Sequence, residues 1–168
     1  MCAEVVNECI CSEYEDLELS CSSVEARMGE YAKIRKQLKQ IAQKVVEPGR
    51  EHYRLYKCEK CGQLWQGTLS TIIDDRWYVF KVPEITKKEW LQKPYVCPDV
   101  IVGYLEDKNK YLSQNFNHKK ERCSYLKCSN YAIEGSVYCE YHLFDNLVEK
   151  GMFRPKPKGR EFCVYKTV

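Results

Sequence analysis

Four potential metal ligands lie within twenty residues of one another in the last third of the sequence. Four residues separate Cys123 from Cys128, ten more lead to Cys139, and two separate Cys139 from His142. Structural zinc is held by four such side chains in a closed tetrahedron, and Cys3His is one of its usual combinations. A Cys-x2-His pair on the first turn of a helix directs both ligands to one side, where a facing turn can supply the other two. The sequence therefore predicts a structural Zn2+ site at Cys123, Cys128, Cys139 and His142.

The segment around these ligands resembles the treble-clef-like zinc fingers, which are built from a knuckle, a hairpin and a ligand-bearing helix. Residues 132–138 have the pattern of a hairpin turn and strand, and residues 143–148 that of the following helix. The resemblance implies a zinc finger at residues 120–150. It names no partner, since such fingers bind nucleic acid in some proteins and only hold the fold in others.

A second cysteine pair, Cys58-Glu59-Lys60-Cys61, precedes Gly62 and is typical of the first half of a zinc ribbon. Because no second Cys-x2-Cys follows, we expect Cys97 to be the third ligand of a second metal site. The fourth ligand is left open among His52, His118 and Cys163. Alternatively, the pair joins the ligands of the finger in one shared site. A redox role is disfavoured because strand residues follow Cys61, where a redox motif needs a helix N-terminus.

Four further cysteines, Cys2, Cys9, Cys11 and Cys21, lie in an acidic stretch without a nearby histidine. One residue between Cys9 and Cys11 is too few for an ordinary knuckle, so these four are interpreted as incidental thiols that alkylation should label first. The chain has eleven cysteines and no recognisable secretory signal, which together favour metal binding in a reducing compartment over disulfides. The expected location is the cytoplasm.

The elements that must position these ligands indicate an α+β fold. Val24, Tyr31, Leu38 and Val45 recur every seven residues, which predicts an amphipathic helix over 23–46, capped by Ser22 and Glu25 and ended by Pro48-Gly49. Residues 53–82 then predict a three-stranded, zinc-ribbon-like antiparallel meander. Short helices are predicted after Thr86, through a capping box with Glu89, and from Pro98.

The domain organisation predicted from these elements has two parts in one compact domain. Residues 1–48 form an acidic head and the amphipathic helix, and residues 49–168 form a zinc-stabilised body with the finger and a basic tail at 154–160. Residues 1–30 hold eight acidic side chains and one basic, whereas residues 31–60 hold nine basic and three acidic. The pI of 8.2 is below the value above about 9 that is typical of nucleic-acid-binding domains.

A wider resemblance, to small bacterial proteins that include toxin-neutralising immunity proteins, covers about half of the chain. It depends on the Cys-x2-Cys-Gly knuckle, two tryptophans and the finger. The matching residues are Cys58, Cys61, Gly62, Trp65, Trp90, Cys123, Cys128, Ala132, Gly135, Cys139 and His142. The resemblance implies a cytoplasmic bacterial protein that binds a toxin and inhibits it.

The function predicted from the sequence is therefore that of a non-enzymatic, zinc-stabilised protein-interaction protein. The motifs of deaminases, zinc proteases, phosphate loops and serine hydrolases are missing, and no apolar run is long enough to cross a bilayer. The alternative is a zinc-containing nucleic-acid-binding or regulatory protein. It would contact phosphates through Lys33, Arg35, Lys36, Lys39 and the tail at 154–160.

Overall fold

The computed structural model of the chain describes residues 9–47, 51–70 and 72–162. These residues form an α+β fold, as the sequence predicted, with four α-helices, a four-stranded sheet and a two-stranded sheet. A short 3-10 helix at Ile10–Glu13 comes first. The elements that follow are α1 (Cys21–Arg35), β1 (Leu38–Glu47), β2 (Glu51–Cys58), β3 (Leu64–Leu69), β4 (Trp77–Val82), α2 (Lys87–Gln92), α3 (Pro98–Leu112), β5 (His118–Arg122), β6 (Tyr131–Ile133) and α4 (Glu140–Glu149).

The chain divides into two compact units. One lies within Met1–Val100 and Lys158–Val168, and the other is Ile101–Pro157. In the first unit, the larger sheet has the strand order β1-β2-β3-β4, with each neighbouring pair antiparallel. The predicted meander corresponds to β2, β3 and β4, and β1 extends it. No helix among the described residues is long and apolar enough to cross a membrane.

The predicted helix over 23–46 is wrong in its second half. Helix α1 ends at Arg35, and Leu38–Glu47 pairs with β2 as a strand. A bulge between Gln40 and Ala42 shifts the register of this strand, and of the two heptad positions on it, Leu38 is buried whereas Val45 is exposed. The side chain of Arg35 donates to the carbonyl oxygen of Leu38 at 2.6 Å, which holds the turn between helix and strand. The predicted cap at Ser22 and Glu25 is also wrong, because α1 begins at Cys21 and its N-cap is Ser20, whose hydroxyl accepts from the backbone N–H of Ser23.

Apolar side chains of the larger sheet alternate between two hydrophobic clusters, one on each face. Leu55, Leu64 and Phe80 belong to the cluster that contains Trp90 and Cys97. Their chain neighbours Tyr56, Trp65 and Val79 belong to the cluster that contains Ile10, Cys11, Tyr14 and Cys58. Because side chains alternate across a strand, the two clusters occupy opposite faces of the sheet. The segment with the 3-10 helix therefore packs on one face, and the segment with Cys97 on the other.

The second unit has a small aromatic core between α3 and α4. Tyr111 and Phe144 are buried with ring centroids 5.4 Å apart, and Phe153 lies 5.1 Å from Phe144. The β5–β6 hairpin contributes Ala132 and Ile133 as buried residues. In the first unit, a β-bridge joins Tyr95 to Arg160.

Candidate metal centres

The four ligands predicted in the finger come together. One ligand atom from each of Cys123, Cys128, Cys139 and His142 lies within 4.8 Å of the others. The Nδ1 atom of His142 is 3.4 Å from Cys123 Sγ and 3.3 Å from Cys139 Sγ, and the sulfurs of Cys128 and Cys139 are 3.9 Å apart. This group, the second cluster, can hold a metal ion through three sulfurs and one imidazole nitrogen.

Three local structures bring the second cluster together. Cys139 is the N-cap of α4, so His142 follows on the first turn of the helix. The backbone N–H of Cys123 donates to the carbonyl oxygen of Asn130, and the backbone N–H of Ser124 donates to that of Val137. These two hydrogen bonds close the loop opposite the helix. Within this loop, Lys127 and Gly135 take positive φ angles of 64° and 77°. The helix N-terminus and the closed loop thus face each other.

Backbone N–H groups stabilise the thiolate form of Cys123. Burial raises the pKa of this thiol, but the N–H groups of Cys139 and Tyr125 that donate to its sulfur outweigh burial, and the pKa is lowered to about 7. The N–H of Asn130 donates to Cys128 and opposes the rise in its pKa that burial and the neighbouring sulfurs cause. A metal ligand must be the thiolate, so the loop prepares this site for a cation.

Aromatic stacking covers the histidine ligand. The Tyr125 ring lies 3.9 Å from the His142 imidazole, with only 13° between the planes. The other histidine of this region, His118, is one of the candidates for the fourth ligand of the metal site predicted at Cys58 and Cys61. It has a different partner. Its Nε2 atom is 3.2 Å from a carboxylate oxygen of Glu140.

A further group of four cysteines forms in the first unit. The sulfurs of Cys9, Cys11, Cys58 and Cys61 all lie within 4.8 Å of one another. Cys9 Sγ is 3.4 Å from Cys58 Sγ and 3.2 Å from Cys61 Sγ. This group, the first cluster, can hold a metal ion through four sulfurs. It joins two segments that are about fifty residues apart in the chain.

Each half of the first cluster is fixed by its own turn. Cys9 is the N-cap of the 3-10 helix, and its sulfur accepts from the backbone N–H of Cys11 at 3.4 Å. Cys58 ends β2, and the N–H of Gly62 returns to its carbonyl oxygen at 3.0 Å. Gly62 has a φ of +79°, a conformation that side chains other than glycine rarely adopt. The glycine after the cysteine pair is therefore required by the knuckle.

Two sulfurs of the first cluster have contrasting environments. Burial raises the pKa of Cys58, yet the N–H groups of Cys61 and Lys60 donate to its sulfur and lower the pKa to about 7. Burial raises the pKa of Cys11 strongly, and the indole N–H of Trp65, 3.2 Å from the sulfur, opposes this rise. A buried thiolate at Cys11 needs a cation beside it, and a metal ion held by the cluster would supply that charge.

The structure does not bring Cys97 to Cys58 and Cys61. Cys97 is buried on the opposite face of the sheet, where the Gln66 amide nitrogen lies 3.5 Å from its sulfur. The cysteines interpreted as incidental, Cys9 and Cys11, take the places beside the pair instead. Cys21 begins α1 outside both clusters. Cys2, Cys163 and the side chain of His52 lie outside the described residues.

The spacing of Cys9 and Cys11 does not indicate that they are metal ligands. A Cys-x-Cys pair is unusual as a knuckle, but here both sulfurs approach a knuckle that another segment supplies. The one available signal was the amphipathic pattern around them, with Ile10, Cys11, Tyr14 and Leu17 buried and the intervening acidic residues exposed. Comparison with known proteins adds no relative: no protein-family model, curated protein or solved structure matches the chain.

Proposed function

We propose that each cluster binds one Zn2+ ion and that the chain is a non-enzymatic protein-interaction protein stabilised by this metal. Thiolate and imidazole ligands favour zinc over hard cations, which prefer oxygen. Zinc–sulfur bonds of about 2.3 Å in a tetrahedron place sulfurs about 3.8 Å apart. The sulfur separations are 3.2 and 3.4 Å in the first cluster, somewhat shorter than this value, and 3.9 Å in the second.

The completeness of both ligand sets supports a structural role for the metal. Catalytic zinc usually has three protein ligands and keeps one position for water or substrate. Each cluster offers four ligand atoms, so that a tetrahedral ion would have no open position. A nucleophilic water is therefore not expected on either ion.

The observation that carries the proposal is a concentration of exposed apolar side chains in the finger. Among the described residues, seven large hydrophobic side chains are exposed, and five of them lie between positions 125 and 141. These five side chains, together called the finger face, are Tyr125, Leu126, Tyr131, Val137 and Tyr141. Leu126 is 83% exposed. Concentrated exposed apolar side chains, rich in tyrosine, are typical of protein-binding surfaces.

Intramolecular contacts weaken the nucleic-acid alternative. Lys33 pairs with Glu13 at 3.1 Å, and the Arg35 guanidinium lies 4.6 Å from the Tyr56 ring. In the tail, Arg154 pairs with Asp107 at 2.9 Å, and Arg160 donates to the carbonyl oxygen of Lys93. Several basic side chains considered for phosphate contacts thus already have partners, which favours a protein partner.

The acidic head suggests the chemistry of such a partner. Glu15, Asp16 and Glu18 are exposed on the segment whose other face, with Tyr14 and Leu17, is buried. An acidic ridge of this kind attracts a basic protein surface and speeds its association. A basic toxin that this chain neutralises as an immunity protein is the specific partner class that we propose.

Native mass spectrometry and a binding comparison test the proposal. We expect two zinc ions per chain, and we expect a partner from the source organism to bind the wild type and the control Val45→Ser but not Leu126→Ser. Both substitutions remove one exposed aliphatic side chain, but only Leu126 lies on the finger face. Equal binding by both variants, or absence of zinc, would contradict the proposal. Micromolar binding to generic DNA that weakens steeply with salt would favour the nucleic-acid alternative.

A further inference from the structure

We propose that Tyr31, Arg35, Arg54 and Tyr56 form a binding site for a small anion of the phosphate class, where the end of α1 packs on the larger sheet. The inference goes beyond the proposed function and does not rest on metal binding, because none of these residues belongs to either cluster. It depends on the convergence of two guanidinium groups with two phenols, on the rings that hold the guanidiniums, and on donors that lack partners within the described residues.

Helix and strand geometry bring the four side chains together. Tyr31 and Arg35 are four residues apart on α1 and therefore lie on one side of the helix. Arg54 and Tyr56 are two residues apart on β2 and share one face of the sheet. The helix side and the sheet face meet, because Ile34 of α1 and Tyr56 are buried in one hydrophobic cluster and Tyr31 packs against it. This contact therefore carries two cations and two hydroxyl groups.

Aromatic rings hold both guanidinium groups. The guanidinium carbon of Arg35 lies over the Tyr56 ring, 4.6 Å from its centre. That of Arg54 lies over the Trp77 ring, 4.1 Å from its centre, and the Tyr31 ring stacks on Trp77 with centroids 6.3 Å apart. A guanidinium held over a ring keeps N–H donors in its own plane, so both groups are positioned and can still donate to an oxygen acceptor.

Two polar atoms of this group have no partner within the described residues. The Nε atom of Arg54 and the hydroxyl oxygen of Tyr56 are buried and make no hydrogen bond there. One Nη atom of Arg35 donates to the carbonyl oxygen of Leu38. No carboxylate in the described part of the chain pairs with either guanidinium. Buried polar groups are nearly always hydrogen-bonded in native proteins, so these two atoms indicate a site for a ligand, an ion or water.

The electrostatic environment selects a negatively charged ligand. Burial raises the pKa of Tyr31, and the nearby phenol of Tyr56 raises it further. The positive charges of Arg54 and Arg35 oppose this rise, so both guanidiniums act on the Tyr31 hydroxyl. At neutral pH this hydroxyl is protonated and can donate. Guanidinium groups donate hydrogen bonds and do not accept them, so the ligand must supply oxygen acceptors.

Two guanidinium groups favour a terminal phosphate over a carboxylate or a phosphodiester. Each guanidinium can donate two parallel N–H bonds to an oxyanion. A phosphate monoester carries a charge of about −1.5 to −2 at pH 7, which matches two cations, whereas a carboxylate or a phosphodiester carries a single charge. Tyr56 is fully buried, and the other three side chains are half-buried. The site therefore suits a free phosphate ion or the terminal phosphate of a small monoester.

An NMR titration of the full chain tests the site. We expect inorganic phosphate, at constant ionic strength, to shift the Nε–H resonance of Arg54 and the indole N–H resonance of Trp77. Acetate should bind at least fivefold more weakly. Phosphoserine, titrated in the same way, separates the two sources: tighter binding than phosphate supports a monoester ligand, and weaker binding supports the free ion.

Arg54→Gln should weaken phosphate binding at least tenfold, and Arg160→Gln is the matched control with less than a twofold effect. Arg160 also lies near a tyrosine ring, that of Tyr95, but beside the hydrophobic cluster on the opposite face. Tyr31→Phe keeps the stacked ring and both charges and should weaken binding about threefold. Equal weakening by the two arginine variants, resonances that phosphate leaves unchanged, or tighter binding of a short oligothymidine than of phosphate would overturn the inference. Absence of zinc would contradict the proposed function only.

Discussion

The two clusters differ in the length of chain they join and in what surrounds them. The ligands of the second cluster all come from residues 123–142, beside a loop whose side chains are largely exposed. The first cluster joins the 3-10 helix to the β2–β3 turn and is partly buried with Tyr56 and Trp65. At the second cluster, a metal ion would therefore stabilise a short segment that has few buried side chains of its own. At the first cluster, it would hold the segment of the 3-10 helix against a sheet that is already packed on both faces.

This difference predicts unequal dependence on metal. Zinc binding contributes on the order of 10 kcal/mol to the folding of small finger peptides, because they have no stable apo fold. The loop of the second cluster has few buried apolar residues, chiefly Ala132 and Ile133. The sheet beside the first cluster has buried side chains on both faces and should persist without metal.

The largest effect is expected from Cys139→Ser. Losing one ligand of the second cluster should disorder residues 118–142, while α1 and the four-stranded sheet remain folded. Hydrogen exchange should show loss of protection in this range only, and native mass spectrometry should count one zinc ion instead of two. If residues 118–142 stay as protected as in the wild type, the cluster does not stabilise the finger and the comparison fails.

A smaller effect is expected from Cys9→Ser. The first cluster closes a loop of about fifty residues, and by analogy with a crosslink its loss should cost about 3–4 kcal/mol of unfolding free energy. Urea denaturation should show this decrease, and hydrogen exchange should place the lost protection in residues 9–17. Cys21→Ser is the matched control and should change neither. Disorder throughout β2 and β3 would show that metal is required for the sheet as well.

The same contrast explains how much could be predicted from the sequence. The second cluster was predictable because all its ligands lie within one short segment and their spacing reports the local geometry. The first cluster was predicted only in the half that forms a knuckle, at Cys58 and Cys61. Its other half depends on tertiary packing, because the 3-10 helix reaches the knuckle only after its buried face packs on the sheet.

The prediction for Cys97 shows the limit of choosing a ligand by chain order. Cys97 is the next cysteine after the pair, but the segment between α2 and α3 that carries it packs on the other face of the sheet. The prediction of one helix over residues 23–46 was wrong for a related reason. Residues 38–47 have an apolar spacing compatible with a helix, yet pairing with β2 decides their conformation. Capping signals are more local: the predicted box of Thr86 and Glu89 is present, whereas the cap of α1 lies at Ser20, two residues before the predicted Ser22.

Trp65→Phe probes how the first cluster is supported from within the core. The substitution removes the indole N–H that donates to Cys11 Sγ, a hydrogen bond to a charged group worth about 1.5–3 kcal/mol. We expect zinc affinity at the first cluster to fall about tenfold or more in chelator competition, with the second cluster unchanged. Trp90→Phe is the matched control, since its indole N–H donates to Gln66 on the opposite face. A similar fall in both variants would indicate general destabilisation instead of a lost sulfur contact.

The smallest effect is expected from Tyr125→Ala, at the corresponding aromatic contact of the second cluster. The Tyr125 ring stacks on His142 but is itself 57% exposed, so its loss should cost only about 0.5–1.5 kcal/mol. Zinc affinity of the second cluster should therefore fall by less than about tenfold. Tyr125→Phe keeps the stacked ring and should bind zinc as the wild type does. Tyr141→Ala removes a ring of similar exposure next to His142 in the chain and should have no effect on affinity. If Tyr141→Ala weakens zinc binding as much as Tyr125→Ala, the ring stack is not what supports the histidine.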